Sequence, residues 1–158
     1  MSNKINKIFS KILVAIDGSQ PSIDAANYAI EIAKKNNNSQ LIALTVLDKS
    51  TPRRLSSSFI TAPTYGLKEL EEQRKQAQKW LESISKKVEE IEKNIHYKAE
   101  IIEGSISVEG TIVDYAENEN IDLIVIGTRG KSGFKRMLLG SIASKVVTYA
   151  TCPVLVVK

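Results

Sequence analysis

Five short apolar runs punctuate the chain: KILVAI before Asp17, QLIALTVL before Asp48, HYKAEII before Glu103, DLIVI before Gly127, and PVLVV before Lys158. Each has strand length and is rich in Ile, Val or Leu, and runs of that kind read as β-strands. The first, fourth and fifth are apolar at nearly every position, which predicts strands covered on both faces. The third alternates polar with apolar residues, which predicts a place nearer a sheet edge.

Helical periodicities lie between the runs. PSIDAANYAIEIAKK follows Ser19, a cap residue, and opens with Pro21, which suits a first helical turn. Leu67, Leu70, Ala77, Leu81, Ile84, Val88 and Ile91 recur at steps of three and four, interrupted once at Arg74, and predict a long helix over 67–91. In a small α/β chain such a seam packs one helix face on a sheet rather than building a coiled coil, and Trp80 flanks it as a packing residue. VEGTIVDYAENEN predicts a third helix, and SIASKVVTYA a fourth beginning at Ser141. Strict β-α alternation predicts an α/β fold, because each parallel crossover carries the chain back over one face of the sheet. The expected architecture is an open, doubly wound, five-stranded parallel sheet of order 3-2-1-4-5 with helices on both faces, Rossmann-like. A chain of 158 residues suits one such domain, 1–158. The stretch 49–66, KSTPRRLSSSFITAPTYG, exceeds the usual connection length and predicts a flexible surface loop, or alternatively a lid over the strand ends.

Composition narrows the function class. Hydrophobic residues at 42% and charged residues at 25% match a globular protein. No apolar run approaches the roughly 20 residues that span a bilayer, and the apolar stretch 12–16 ends in Asp17 rather than a signal-cleavage site. The expectation is a cytoplasmic protein with no membrane partner. Cys152 has no second cysteine to pair with and reads as a buried spacer, and His96 has no companion at metal-ligand spacing. The net charge of +4 is local: residues 127–141 hold Arg129, Lys131, Lys135 and Arg136 and no acid, while elsewhere cations equal the 18 acids. That is an anion-attracting patch, not a nucleic-acid-binding face.

The patch sits in GTRGKSGFKRMLLGS, which begins as a shortened phosphate loop. Gly127 and Gly130 have two residues between them where a Walker loop needs four. Both glycines permit a tight turn and close backbone approach. Gly140 and Ser141 then open the last helix, whose unpaired N–H groups and dipole favour an anion. The cradle is therefore split rather than broken. In the expected sheet it faces Ala15, Ile16, Asp17 and Gly18 across the crevice where strand order reverses.

The spacing G-x2-G-x9-G-S over Gly127, Gly130, Gly140 and Ser141 resembles the ATP-binding signature of the universal stress protein family. KILVAIDGS, ALTVLD and CPVLVVK extend the resemblance over nearly the whole chain. The resemblance implies ATP or AMP bound between the first and fourth strands, and a homodimer. It places Ala15, Ile16 and Asp17 beside the nucleoside and the Val46 backbone near adenine. Gly127, Arg129 and Gly130 would face ribose and phosphates, Gly140, Ser141 and Ile142 the phosphate tail, and Ile126 and Lys131 complete the expected set. Mg2+ or Mn2+ would ride on the phosphates, since no acidic cluster resembles a metal cage. The chain departs from the family in lacking a proline between Gly104 and Gly110. The function expected is an adenine-nucleotide-binding regulatory or stress-response protein with slow hydrolysis or none, because no residue near the motif declares itself as a base. The alternatives are an ATP-hydrolysing or nucleotidyl-transferring enzyme of the same superfamily, and a nucleotide-free dimeric interaction module. The apolar C-terminal strand PVLVV is the expected dimer edge.

Overall fold

In a computed structural model, residues 9–49, 63–91, 94–104, 107–129 and 139–158 are described. The strands are β1 (Lys11–Ala15), β2 (Gln40–Leu47), β3 (His96–Glu103), β4 (Leu123–Gly127) and β5 (Val154–Val157). The helices are α1 (Gln20–Ala33), α2 (Pro63–Ile91), α3 (Val108–Asn118) and α4 (Ser141–Tyr149). All strand pairings are parallel, in the order β3-β2-β1-β4-β5.

Alternation along the strands sorts the core into two layers. Ile12, Val14 and Ile16 of β1 and its exit join Leu41, Ala43, Leu123 and Val125 beneath α1 and α2, which contribute Ala26, Ile30, Leu81, Ile84 and Val88. Leu13, Ile42, Leu44, Ile124 and Ile126 point the other way, beneath Ile112 and Ala116 of α3 and Ala143 and Val146 of α4. Each fully buried aliphatic side chain contributes about 1.5–3 kcal/mol.

Three details differ from the sequence reading. The helix α2 begins at Pro63, before the expected Leu67, because proline's fixed backbone angle suits a first helical turn. The fifth strand lies at the expected sheet edge, but its faces are only partly covered: Val154, Leu155 and Val156 are half-buried and Val157 is buried. Cys152, expected to be buried, is half-buried and packs at the rim of the second layer. The alternating third strand does form the opposite edge, as its pattern predicts.

At the amino end of β1 a carboxylate clamps two strands. Asp122 Oδ2 accepts from the Ser10 amide at 3.0 Å, the Ser10 hydroxyl at 2.6 Å and the Lys11 amide at 2.9 Å. Lys11 Nζ reaches the Glu119 carbonyl at 2.6 Å and its carboxylate at 3.0 Å. The entries to β1 and β4 are thereby fixed side by side, as the register Ile12 with Leu123 requires.

Among the described residues two buried side-chain oxygens, those of Thr45 and Tyr115, find no hydrogen-bond partner. Thr45 is the more enclosed residue, 4% exposed. A buried unsatisfied hydroxyl costs roughly 1–3 kcal/mol. Thr45→Val should therefore raise stability by about 1 kcal/mol, read as a higher urea midpoint at unchanged slope. A lower midpoint would show that the hydroxyl is satisfied.

Candidate functional site

The carboxyl edge of the sheet is stepped. Ala15, the last residue of β1, pairs with Leu44, while β2 continues to Leu47. At about 3.3 Å per residue, β2 rises roughly 10 Å above the end of β1. The Ile16 amide donates to the Leu44 carbonyl at 2.8 Å and closes the ladder. The Leu47 carbonyl turns the other way and accepts the Gly104 amide at 2.9 Å. By that alternation the N–H and C=O of Val46 face the notch over β1, where no strand continues.

The wall of the notch on the α1 side is the turn Asp17-Gly18-Ser19. Asp17 Oδ1 accepts from the Ser19 amide at 2.9 Å and from its hydroxyl. Ser19 is the N-cap of α1, its hydroxyl oxygen accepting from the Ser22 amide. Gly18 holds φ +78°, in the left-handed region where a side chain is strained, and a Cβ there would overlap the Trp80 indole. The Ser19 hydroxyl also lies 3.4 Å from the Arg129 carbonyl, which joins this turn to the exit of β4.

On the opposite side, β4 and α4 are stitched together. The Gly140 amide donates to the Thr128 carbonyl at 2.6 Å. The chain thus leaves β4 and returns to the same place before α4 starts, so the first turn of α4 lies beside the exit of β4 at the carboxyl edge of the sheet. Ser19 and Ser107 cap α1 and α3, whereas α4 begins at Gly140 with no side-chain cap. Its first N–H groups lack partners within the helix and, with the helix dipole, favour an anion. Beside that turn Lys145 pairs with Glu109 of α3 at 2.6 Å. The Lys145 hydrogen bond holds the Glu109 carboxyl below the usual glutamate range.

The third strand supplies the outer corner. Glu103 binds Lys49 at 2.6 Å and Arg74 at 2.7 Å, drawing the exit of β2 and the body of α2 to the end of β3. Its pKa is lowered first by the Lys49 hydrogen bond and then by Arg74.

Of the site residues expected from the sequence, Ala15, Ile16, Asp17, Val46, Ile126, Gly127, Arg129, Gly140, Ser141 and Ile142 gather at this carboxyl end. Gly130, Lys131, Lys135 and Arg136 lie outside the described residues. Ile16 and Ile126, at 3% and 5% exposure, put their side chains into the two core layers. Gly127 has a packing role that its sequence does not suggest: a Cβ there would stand 2.7–2.8 Å from Pro21, so its missing side chain admits the first turn of α1. Thr128, 7% exposed, was missed by sequence reasoning, since nothing in GTRG marks it as the acceptor that closes the loop. Among the described residues no group of three or more His, Cys, Asp or Glu is placed to hold a metal, and no helix is long and apolar enough to cross a membrane.

Comparisons with known proteins agree on one family. The universal stress protein family profile matches residues 9–158. A universal stress protein of Methanocaldococcus jannaschii is 40% identical over 153 residues, covering 96% of this chain and 83% of that protein. The universal stress protein UspA from Lactobacillus plantarum superposes with a TM-score of 0.85 at 29% identity, covering 97% of this chain and 100% of that one. A universal stress protein from Archaeoglobus fulgidus, solved in complex with dAMP, shares the fold at a TM-score of 0.62 and 22% identity, covering 96% of this chain and 99% of its own.

The packing role of Gly127 is open to direct test. Gly127→Ala should destabilise the protein by about 1–3 kcal/mol, because the added methyl meets Pro21 backbone rather than a flexible side chain. Denaturant unfolding without ligand reads the cost, and an unchanged midpoint would show that α1 gives way freely.

Proposed function

Because the chain belongs to the universal stress protein family, we propose that it binds an adenine nucleotide, ATP or AMP, in the notch over β1, as a regulatory or stress-response protein of the cytoplasm. The observation that carries this reading is the closure of Gly140 onto Thr128, which sets the uncapped start of α4 at the exit of β4, the strand that borders the crevice with β1. The dAMP bound to the Archaeoglobus fulgidus protein supports the ligand class. In this reading the phosphates meet the N–H groups of Ser141 and Ile142 and the Ser141 hydroxyl. The base lies against the polar backbone of Val46, and Gly127 and Arg129 line the phosphate path. A divalent ion arrives on the phosphates, since the described residues supply no cage for it. Asp17 braces its own turn through Ser19, so we assign it to binding and propose slow hydrolysis or none.

Calorimetric titration of ATP and AMP with Mg2+ tests the reading. The variant to set beside the parent is Ser141→Pro, not a change at Gly140, where a Cβ would press within 3.0 Å of the Thr128 carbonyl. Proline is tolerated at the first helical position, and Gly140 at φ −64°, ψ 157° already has the extended backbone that precedes proline. The variant removes one backbone donor and one hydroxyl. Micromolar binding by the parent and a roughly tenfold loss in the variant, about 1.4 kcal/mol, is expected. No heat from the parent would overturn the proposal.

We also propose a homodimer through β5. That strand has β4 on one side only, Val154, Leu155 and Val156 are half-buried, and Val147 and Tyr149 of α4 are 45% and 64% exposed. A second copy pairing edge to edge would cover this apolar surface. Sedimentation at tens of micromolar should give a dimer for the parent and a monomer for Leu155→Lys; a monomeric parent would refute it.

A further inference from the structure

We propose that Trp80 is a positioning residue for the nucleotide site, holding the Asp17-Gly18-Ser19 turn in its binding shape from the back. This inference rests on the nucleotide-binding reading above. Trp80 lies in α2, a helix that contributes none of the residues expected to touch the ligand, and it is the only tryptophan in the chain. Its indole occupies the space that a Cβ on Gly18 would fill, and Gly18 is the one described glycine with positive φ.

The contact has consequences on both sides. Trp80 is partly buried and packs against the first core layer, to which Leu81 and Ile84 of the same helix belong, so the ring is backed by the core. The two ends of the turn are hydrogen-bonded: Asp17 Oδ1 accepts from Ser19, the Asp17 amide meets the Ser22 hydroxyl at 3.4 Å, and the Ser19 carbonyl accepts from the Ser22 and Ile23 amides at the start of α1. Gly18 between them is the residue against which the indole packs. A left-handed glycine has wide conformational freedom and relaxes when nothing packs on it. With the indole in place, Gly18 is confined, the Asp17 carboxylate and the Ser19 hydroxyl keep their bond, and the wall of the notch nearest β4 is preorganised. Preorganisation of a binding loop gains affinity by removing an ordering cost at the moment of binding.

The test combines affinity with the emission of this single tryptophan. AMP is titrated into the parent, Trp80→Phe and Trp80→Leu, each checked for cooperative thermal unfolding. The parent's tryptophan emission should change with AMP and saturate at the concentration where the calorimetric heat saturates. Trp80→Phe, which keeps a flat ring against Gly18, should bind within about threefold of the parent, and Trp80→Leu should bind about tenfold more weakly. Equal affinity in all three proteins would overturn the positioning role while leaving nucleotide binding intact. Absence of heat from the parent with both AMP and ATP would overturn both. Should Trp80→Leu fail to fold, the parent's emission decides: a saturating change supports the role, and silence alongside measurable heat refutes it.

Discussion

The hydrogen bond from the Gly140 amide to the Thr128 carbonyl, at 2.6 Å, decides how the last third of the chain is arranged. Thr128 also donates its own amide to the Val157 carbonyl at 2.7 Å, so the exits of β4 and β5 and the entry to α4 meet at one buried residue. From there Ala143 and Val146 seat α4 on the second core layer, while its first turn stays at the sheet's carboxyl edge. Without that closure the start of α4 would not be held at the exit of β4. The anion-favouring end of the helix would then be an isolated surface feature.

The space in front of that helix end comes from strand length more than from small side chains. Where β1 stops at Ala15, β2 carries on to Leu47, and the backbone of Val46 is left facing the gap. The glycines that look like openings are used for packing: Trp80 fills the place beside Gly18 and Pro21 the place beside Gly127. Both contacts bring helices closer to the sheet and fix the walls of the notch. At its other end β1 is held by Asp122, so this central strand is anchored at its amino end and open at its carboxyl end.

The elements themselves were legible because burial on two faces forces continuous apolar runs, and each of the five runs became a strand. The polar alternation of HYKAEII identified an edge strand, since one side of β3 meets solvent along much of its length. PVLVV lies at the opposite edge as the strand order predicts, but its continuous apolar run overstated its cover, because an apolar run looks alike whether its faces are fully or half covered, and only Val157 of its strand is buried. The approximate start of α2 was legible from its seam but not its first turn, because Pro63–Gly66 carries no periodic apolar signal.

Local pattern thus determined the elements, their order, the fold class and the gathering of Asp17, Val46, Gly127, Gly140 and Ser141 at one end of the sheet, because these follow from periodicity and from the handedness of parallel crossovers. Only the tertiary structure decided what packs against Gly18 and Gly127, that Trp80 backs the Asp17 turn, and that Thr128 closes onto Gly140. Those assignments depend on which atoms of distant segments occupy the same few ångströms, and a glycine in a sequence reads the same whether a ligand, a proline ring or an indole lies against it.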